Sequence, residues 1–151
     1  NPDTDWNGKD VGLSQSLVEV SPGIYAGTLD GGNNIEPAVK GLYFVEYTPS
    51  TKDIQLSYIS TLGAIGDFNS WSESLVLTPS DDMLTWTSAP VDINEGQTFK
   101  LRANNDWVLD WGGSLDNVVF KGSNISVTET AKYIITFNIA SSPNTIVLTK
   151  Q

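Results

Sequence analysis

The sequence predicts an all-β sandwich. Three observations carry that expectation: short runs in which apolar and polar residues alternate, turn-forming clusters between the runs, and no dominance of Ala, Leu, Glu and Lys. The first strands are expected at 41–46, 54–59 and 61–65, where the period-two pattern sets Ile54 and Leu56 on one face and Gln55 on the other. Further strands are expected at 86–91, 98–103, 131–139 and 145–149. The clearest is 131–139, because Tyr133, Ile135, Phe137 and Ile139 share one face and only Ile134 interrupts the other. Turns fall at Thr48-Pro49-Ser50-Thr51, Asn69-Ser70, Pro79-Ser80-Asp81-Asp82, Asn94-Glu95-Gly96, Asn104-Asn105-Asp106 and Ser141-Ser142-Pro143-Asn144.

The chain carries an internal recurrence. Gly32-Asn33-Asn34-Ile35, Gly41-Leu42-Tyr43-Phe44-Val45 and Ile54-Gln55-Leu56 return as Gly122-Ser123-Asn124-Ile125, Ala131-Lys132-Tyr133-Ile134-Ile135 and Ile146-Val147-Leu148. Each copy follows an Asn/Asp-rich element with a tryptophan, Asp3-Thr4-Asp5-Trp6-Asn7-Gly8 and Asn104-Asn105-Asp106-Trp107. Nothing in the first copy corresponds to residues 63–102. Residues 1–58 are therefore expected to be the closing half of a preceding sandwich-like unit, or an N-terminal extension packed on the main domain, and 59–151 a complete β-sandwich.

Composition removes most function classes. The 151 residues include neither Cys nor His, which excludes the usual zinc, iron or copper sites, a Cys nucleophile, a Ser-His-Asp triad and disulfides. No cofactor and no metal are expected, since the acidic Asp81-Asp82 loop lacks EF-hand spacing. Eighteen acidic against eight basic side chains give a net charge of −10, a field that repels nucleic acid. No apolar run reaches the roughly 20 residues of a membrane-spanning helix, so no transmembrane segment is expected.

The residues with chemical promise cluster in the second half. In Gly66-Asp67-Phe68-Asn69-Ser70-Trp71, glycine permits close backbone approach, Asn69-Ser70 turns the chain, and Trp71 opens a loop. On the 98–103 strand, Lys100 and Arg102 share the face opposite Phe99 and Leu101, just before the turn that ends in Trp107. Indoles beside Lys, Arg and Asn suit a saccharide, which offers an apolar C–H face for stacking and hydroxyls for hydrogen bonds. Trp86, between two threonines within a strand, is expected to fill the core.

The order Gly66-Asp67-Phe68-Asn69-Ser70-Trp71, Trp86, Gly96, Phe99-Lys100, Trp107 resembles the carbohydrate-binding modules of starch and glycogen proteins. With the stretch from Lys40 to Ile59 before it, and Trp111-Gly112-Gly113, Tyr133 and Leu148-Thr149-Lys150 after it, most of the chain resembles the SusE/SusF family of Bacteroidetes outer-membrane lipoproteins. The resemblance implies an immunoglobulin-like β-sandwich and a non-catalytic, surface-exposed protein that binds polysaccharide or oligosaccharide, with starch-like glucan favoured. It also implies a lipid anchor on a segment outside this chain, other surface glycan-binding proteins as neighbours, and work beside a TonB-dependent importer. By the same resemblance Trp71 and Trp107 match the two halves of an aromatic platform, and Lys100 matches a lysine that bonds sugar hydroxyls. Arg102 and Asn105 are neighbouring candidates.

Two other classes are weighed against a binding module. A glycoside hydrolase needs only two carboxylates, but one must have a raised pKa, and a thin sandwich offers little depth for it. A structural spacer or protein-docking sandwich would bury both Trp71 and Trp107.

Overall fold

The computed structural model describes residues 11–151, so the Trp6 element lies outside the described residues. The chain divides into two compact units, Asn1–Ile59 and Ser60–Gln151. Among the described residues the regular structure is β-strand apart from one 3-10 turn, Asp67–Asn69, and the strands form an all-β sandwich. No helix of the described residues is long and apolar enough to cross a membrane.

The first unit holds a four-stranded antiparallel sheet of β1 (Val18–Ser21), β2 (Ile24–Thr28), β3 (Leu42–Thr48) and β4 (Asp53–Ile59), in the order β1-β2-β4-β3. Tyr25, Ile54 and Leu56 are buried with Leu13 on one side of it.

The second unit is built from β5 (Leu62–Gly66), β6 (Leu75–Pro79), β7 (Thr85–Ser88), β8 (Val91–Ile93), β9 (Thr98–Ala103), β10 (Asp110–Ser114), β11 (Asn117–Phe120), β12 (Ile125–Ser126), β13 (Ala131–Asn138) and β14 (Thr145–Lys150). Its strand order is β11-β10-β9-β5-β6-β7-β13-β14, with β12 on β9 and β8 on β13. The two ends of that path meet. Val118 of β11 bridges Asn144, and Ile146 N–H donates to Leu115 O at 2.6 Å. The sheet thus closes on itself as a flattened barrel around Leu62, Ala64, Phe99, Leu101, Ile135 and Phe137, all 2% exposed or less. Trp86, at 3%, is part of this core, as its place between threonines predicts. The expected 86–91 strand is interrupted at Ala89-Pro90, where proline has no N–H for a ladder, and resumes as β8 on a different stretch of β13.

The recurrence read in the sequence extends to the topology. The hairpin β10–β11, the junction of β11 with β14, and the pair β14–β13 repeat the path β1-β2-β4-β3. Tyr43 donates its hydroxyl to Val39 O at 2.6 Å, and Tyr133 donates to Glu129 O at 2.8 Å, each four residues upstream. A Cβ on Gly12 would stand 2.3 Å from Asn33 O, and one on Gly112 would stand 2.0 Å from Ser123 O, so both copies need glycine where two backbones touch. Burial differs between them. Ile135 and Phe137 are sealed at 0% and 1%, but their counterparts Val45 and Tyr47 are about half exposed, at 53% and 50%. Among the described residues the first unit has no counterpart of β5 to β9, the strands that line the core opposite Ile135 and Phe137.

Candidate functional site

The loops that follow β5 and β9, which leave this antiparallel pair at opposite ends, carry Trp71 and Trp107. Their ring centroids lie 6.2 Å apart with planes inclined by 31°. Trp107 is 44% exposed and Trp71 is half-buried.

Every residue of the Gly66–Trp71 hexapeptide contributes to holding the first ring. A Cβ on Gly66 would fall 2.3 Å from Thr98 O, so only glycine lets β5 run this close to β9. Asp67 accepts from Thr98 N–H at 2.6 Å, from Thr98 Oγ1 at 3.0 Å and from the Trp71 indole N–H at 2.8 Å. These donors, the Thr98 amide first, hold its carboxyl below the usual carboxylate range. Phe68 packs against Phe99, ring centroids 6.5 Å apart. The Asn69 side chain accepts from Gly66 N–H at 2.9 Å and donates to Glu73 O at 2.6 Å, closing the loop. Ser70 and Trp71 are both left-handed, at φ of 54° and 56°, a strained backbone for a bulky residue.

The second loop is built by the same means. Asn104 and Asn105 form another left-handed pair, both at φ of 54°. Asn104 Oδ1 accepts from Ser60 N–H and Ser60 Oγ at 2.9 Å, which anchors the loop to the start of β5. Beneath Trp107 sits Arg102, its guanidinium carbon 5.0 Å from the ring centroid. Arg102 donates through Nε to Ser74 Oγ at 2.7 Å and through a terminal nitrogen to Asn105 Oδ1 at 2.6 Å. Gly63, the partner of Arg102 on β5, leaves room for this contact, because a Cβ there would fall 2.5 Å from Ser74 Cβ. Arginine can only donate, so the Asn105 atom facing it is the carbonyl oxygen and its amide nitrogen is turned away.

Two sequence expectations need correction here. Lys100 and Arg102 do lie opposite Phe99 and Leu101, yet neither reaches into solvent, because a second, polar layer covers that face. Arg102, a candidate for contact with the ligand, is 5% exposed and instead supports Trp107 and Asn105 from below. Lys100 is 14% exposed and paired with Asp110, so its ammonium is not free to reach sugar hydroxyls. Asp110 also pairs with Lys121, which donates to Asp110 Oδ2 and to Trp107 O, each at 2.5 Å. Burial pushes the Asp110 carboxyl up, but the two lysines outweigh it and hold the group below its ordinary range. Sequence reasoning missed Ser74, Asp110 and Lys121 as supports of the site. Each lies on a strand or loop that meets β9 only in the fold. Trp111, 6% exposed, belongs to the interior, against Phe120 at 6.0 Å.

Ser74 and Asn105, the two residues that Arg102 bonds, line a groove of about 390 Å³ together with Thr61, Leu62, Gly63, Glu73 and Val76. A larger hollow of about 540 Å³, on the first unit, is lined by Thr28, Glu46, Thr48, Asp53 and Gln55 among others and by no aromatic side chain. No family model matches this chain, and no curated protein matches it closely enough to count as a relative.

Proposed function

We propose that the Ser60–Gln151 unit is a non-catalytic carbohydrate-binding module whose platform is Trp71 and Trp107, with the Asn105 amide at its edge. The observation that carries this reading is the ring pair itself: two indoles 6.2 Å apart, inclined by 31°, on loops pinned by Asp67, Arg102 and Asn104. Rigid, partly exposed indoles are costly to leave in water and suit the apolar face of a sugar ring. Covering one indole removes about 60–80 Å² of apolar surface, worth about 1.5–2 kcal/mol. Two rings and a few hydrogen bonds, less the cost of association, give dissociation constants from about millimolar to ten micromolar. Asp67, which accepts from the Trp71 indole, and Asp110, which shares Lys121 with the Trp107 carbonyl, are both held below their ordinary range, the opposite of what a general acid for glycoside hydrolysis needs. That favours binding without turnover.

The resemblance to the SusE/SusF family supports a starch-like glucan as the ligand and an outer-membrane, cell-surface position in support of glycan uptake beside an importer. Affinity electrophoresis against a panel of polysaccharides tests the reading. At least one polymer should retard the protein, and Trp71→Ala and Trp107→Ala should each restore free migration while leaving the polymer uncleaved in controls. Unretarded migration in every gel overturns the proposal in favour of a spacer or protein-docking sandwich.

A further inference from the structure

We infer that the groove lined by Glu73, Ser74 and Asn105 is a second saccharide subsite, and that Glu73 makes it selective for uncharged sugar units over uronates and sulfated sugars. The inference rests on the glycan-binding reading and adds its charge selection. The groove and the platform share a support, because Arg102 bonds two of the groove's lining residues, Ser74 and Asn105, and carries Trp107 on the same guanidinium. The groove's polar groups include some with capacity left over. The Asn105 amide nitrogen makes no hydrogen bond to the described residues, and the Glu73 carboxylate has neither hydrogen bond nor ion pair to them. Together they offer a donor and an acceptor in the groove, and exposed Val76 adds an apolar wall.

The charge argument follows from where the cations are spent. Arg102 is buried under Trp107, Lys100 is partly buried and paired with Asp110, and Lys121 holds Asp110 and the Trp107 carbonyl. Against these three stand Asp67, Glu73, Asp106 and Asp110, on a chain whose net charge is −10. Asp67, Asp106 and Asp110 are engaged by Thr98 and Trp71, by Val108 N–H and by the lysines. Of the four, Glu73 is the one that lines the groove, and its carboxylate accepts no hydrogen bond from the described residues. A hydroxyl can donate to it, whereas a carboxylate or sulfate meets repulsion with no free cation to offset it.

The test uses amylopectin, xyloglucan and galactomannan, each paired with its C6-carboxylated derivative, in affinity electrophoresis at low and high salt. The wild-type chain should bind at least one neutral polymer, and its carboxylated form at least about tenfold more weakly, with the gap narrowing at high salt. Glu73→Gln should shrink the low-salt gap to within about threefold while the neutral polymer is still bound. A gap unchanged in Glu73→Gln, with neutral binding intact and still dependent on Trp107, overturns the subsite and leaves the platform standing. Failure of every neutral polymer to bind the wild type overturns the platform reading, and the subsite with it. The same melting transition in Glu73→Gln and wild type excludes misfolding as the cause of either result.

Discussion

Arg102→Met keeps the aliphatic stem of the buried side chain and removes the charge from beneath Trp107. The guanidinium makes hydrogen bonds of 2.7 Å to Ser74 and 2.6 Å to Asn105 and stands 5.0 Å from the Trp107 ring centroid. A hydrogen bond to a charged group contributes about 1.5–3 kcal/mol, and because both acceptors retain some contact with water the lower end applies to each. The shielded cation–π contact adds about 1 kcal/mol. Methionine escapes the desolvation cost of a buried guanidinium, which brings the expected net loss to about 2 kcal/mol. Urea unfolding reports this as a lower midpoint with an unchanged slope. A double-mutant cycle with Trp107→Ala should return a coupling of about 1 kcal/mol, and polysaccharide binding should weaken although Arg102 lies beneath the platform. An unchanged midpoint, or strictly additive effects of the two substitutions, would refute the claim that Arg102 supports the ring.

Three further outcomes are expected. Trp86→Ala should cost about 3–5 kcal/mol because Trp86 is a core side chain, whereas Trp107→Ala should cost about 1 kcal/mol, so comparing the two unfolding midpoints separates interior from platform indoles. Gly12→Ala and Gly112→Ala should both destabilise by about 1–3 kcal/mol, since each new methyl group must displace a backbone carbonyl; a neutral result at either position argues against equivalent junctions in the two copies. Asp67 and Asp110 have folded-state pKa values below the unfolded value of about 3.9, so the stability they supply is fully present above about pH 5 and is lost as pH falls through their folded values. Unfolding midpoints measured from neutral pH down to about pH 2 should therefore decline at the acid end, and less steeply in Asp110→Asn.

The strands that alternation identifies are those whose neighbours leave one face apolar and the other polar. Residues 131–139 read correctly because β13 has Tyr133, Ile135 and Phe137 against the core and Lys132 and Thr136 outside it. β10 was not legible. Its Asp110-Trp111-Gly112-Gly113 sequence has the local chemistry of a turn, and only pairing with β9 and β11 extends it. The short β6 and the strands before residue 40 were missed for a similar reason, with prolines and glycines at or beside them. At the site, the turn residues before Trp71 and Trp107 marked where the indoles leave the strands. The fate of Lys100 and Arg102 was hidden, because period two tells which side of a strand a residue takes but not whether a further layer covers that side. The cover comes from Ser74, Asn105 and Asp110, and local sequence gives no sign that they converge on β9.

The tandem left-handed dipeptides Ser70-Trp71 and Asn104-Asn105 also bear on how a ligand arrives. Their conformational freedom is surrendered during folding, so a visiting molecule has almost no loop entropy left to quench, and the favourable energy of contact is not consumed in arranging the receptor. Encounter with such a surface is a docking event without rearrangement, and differences in affinity among ligands should be written in their departure rates.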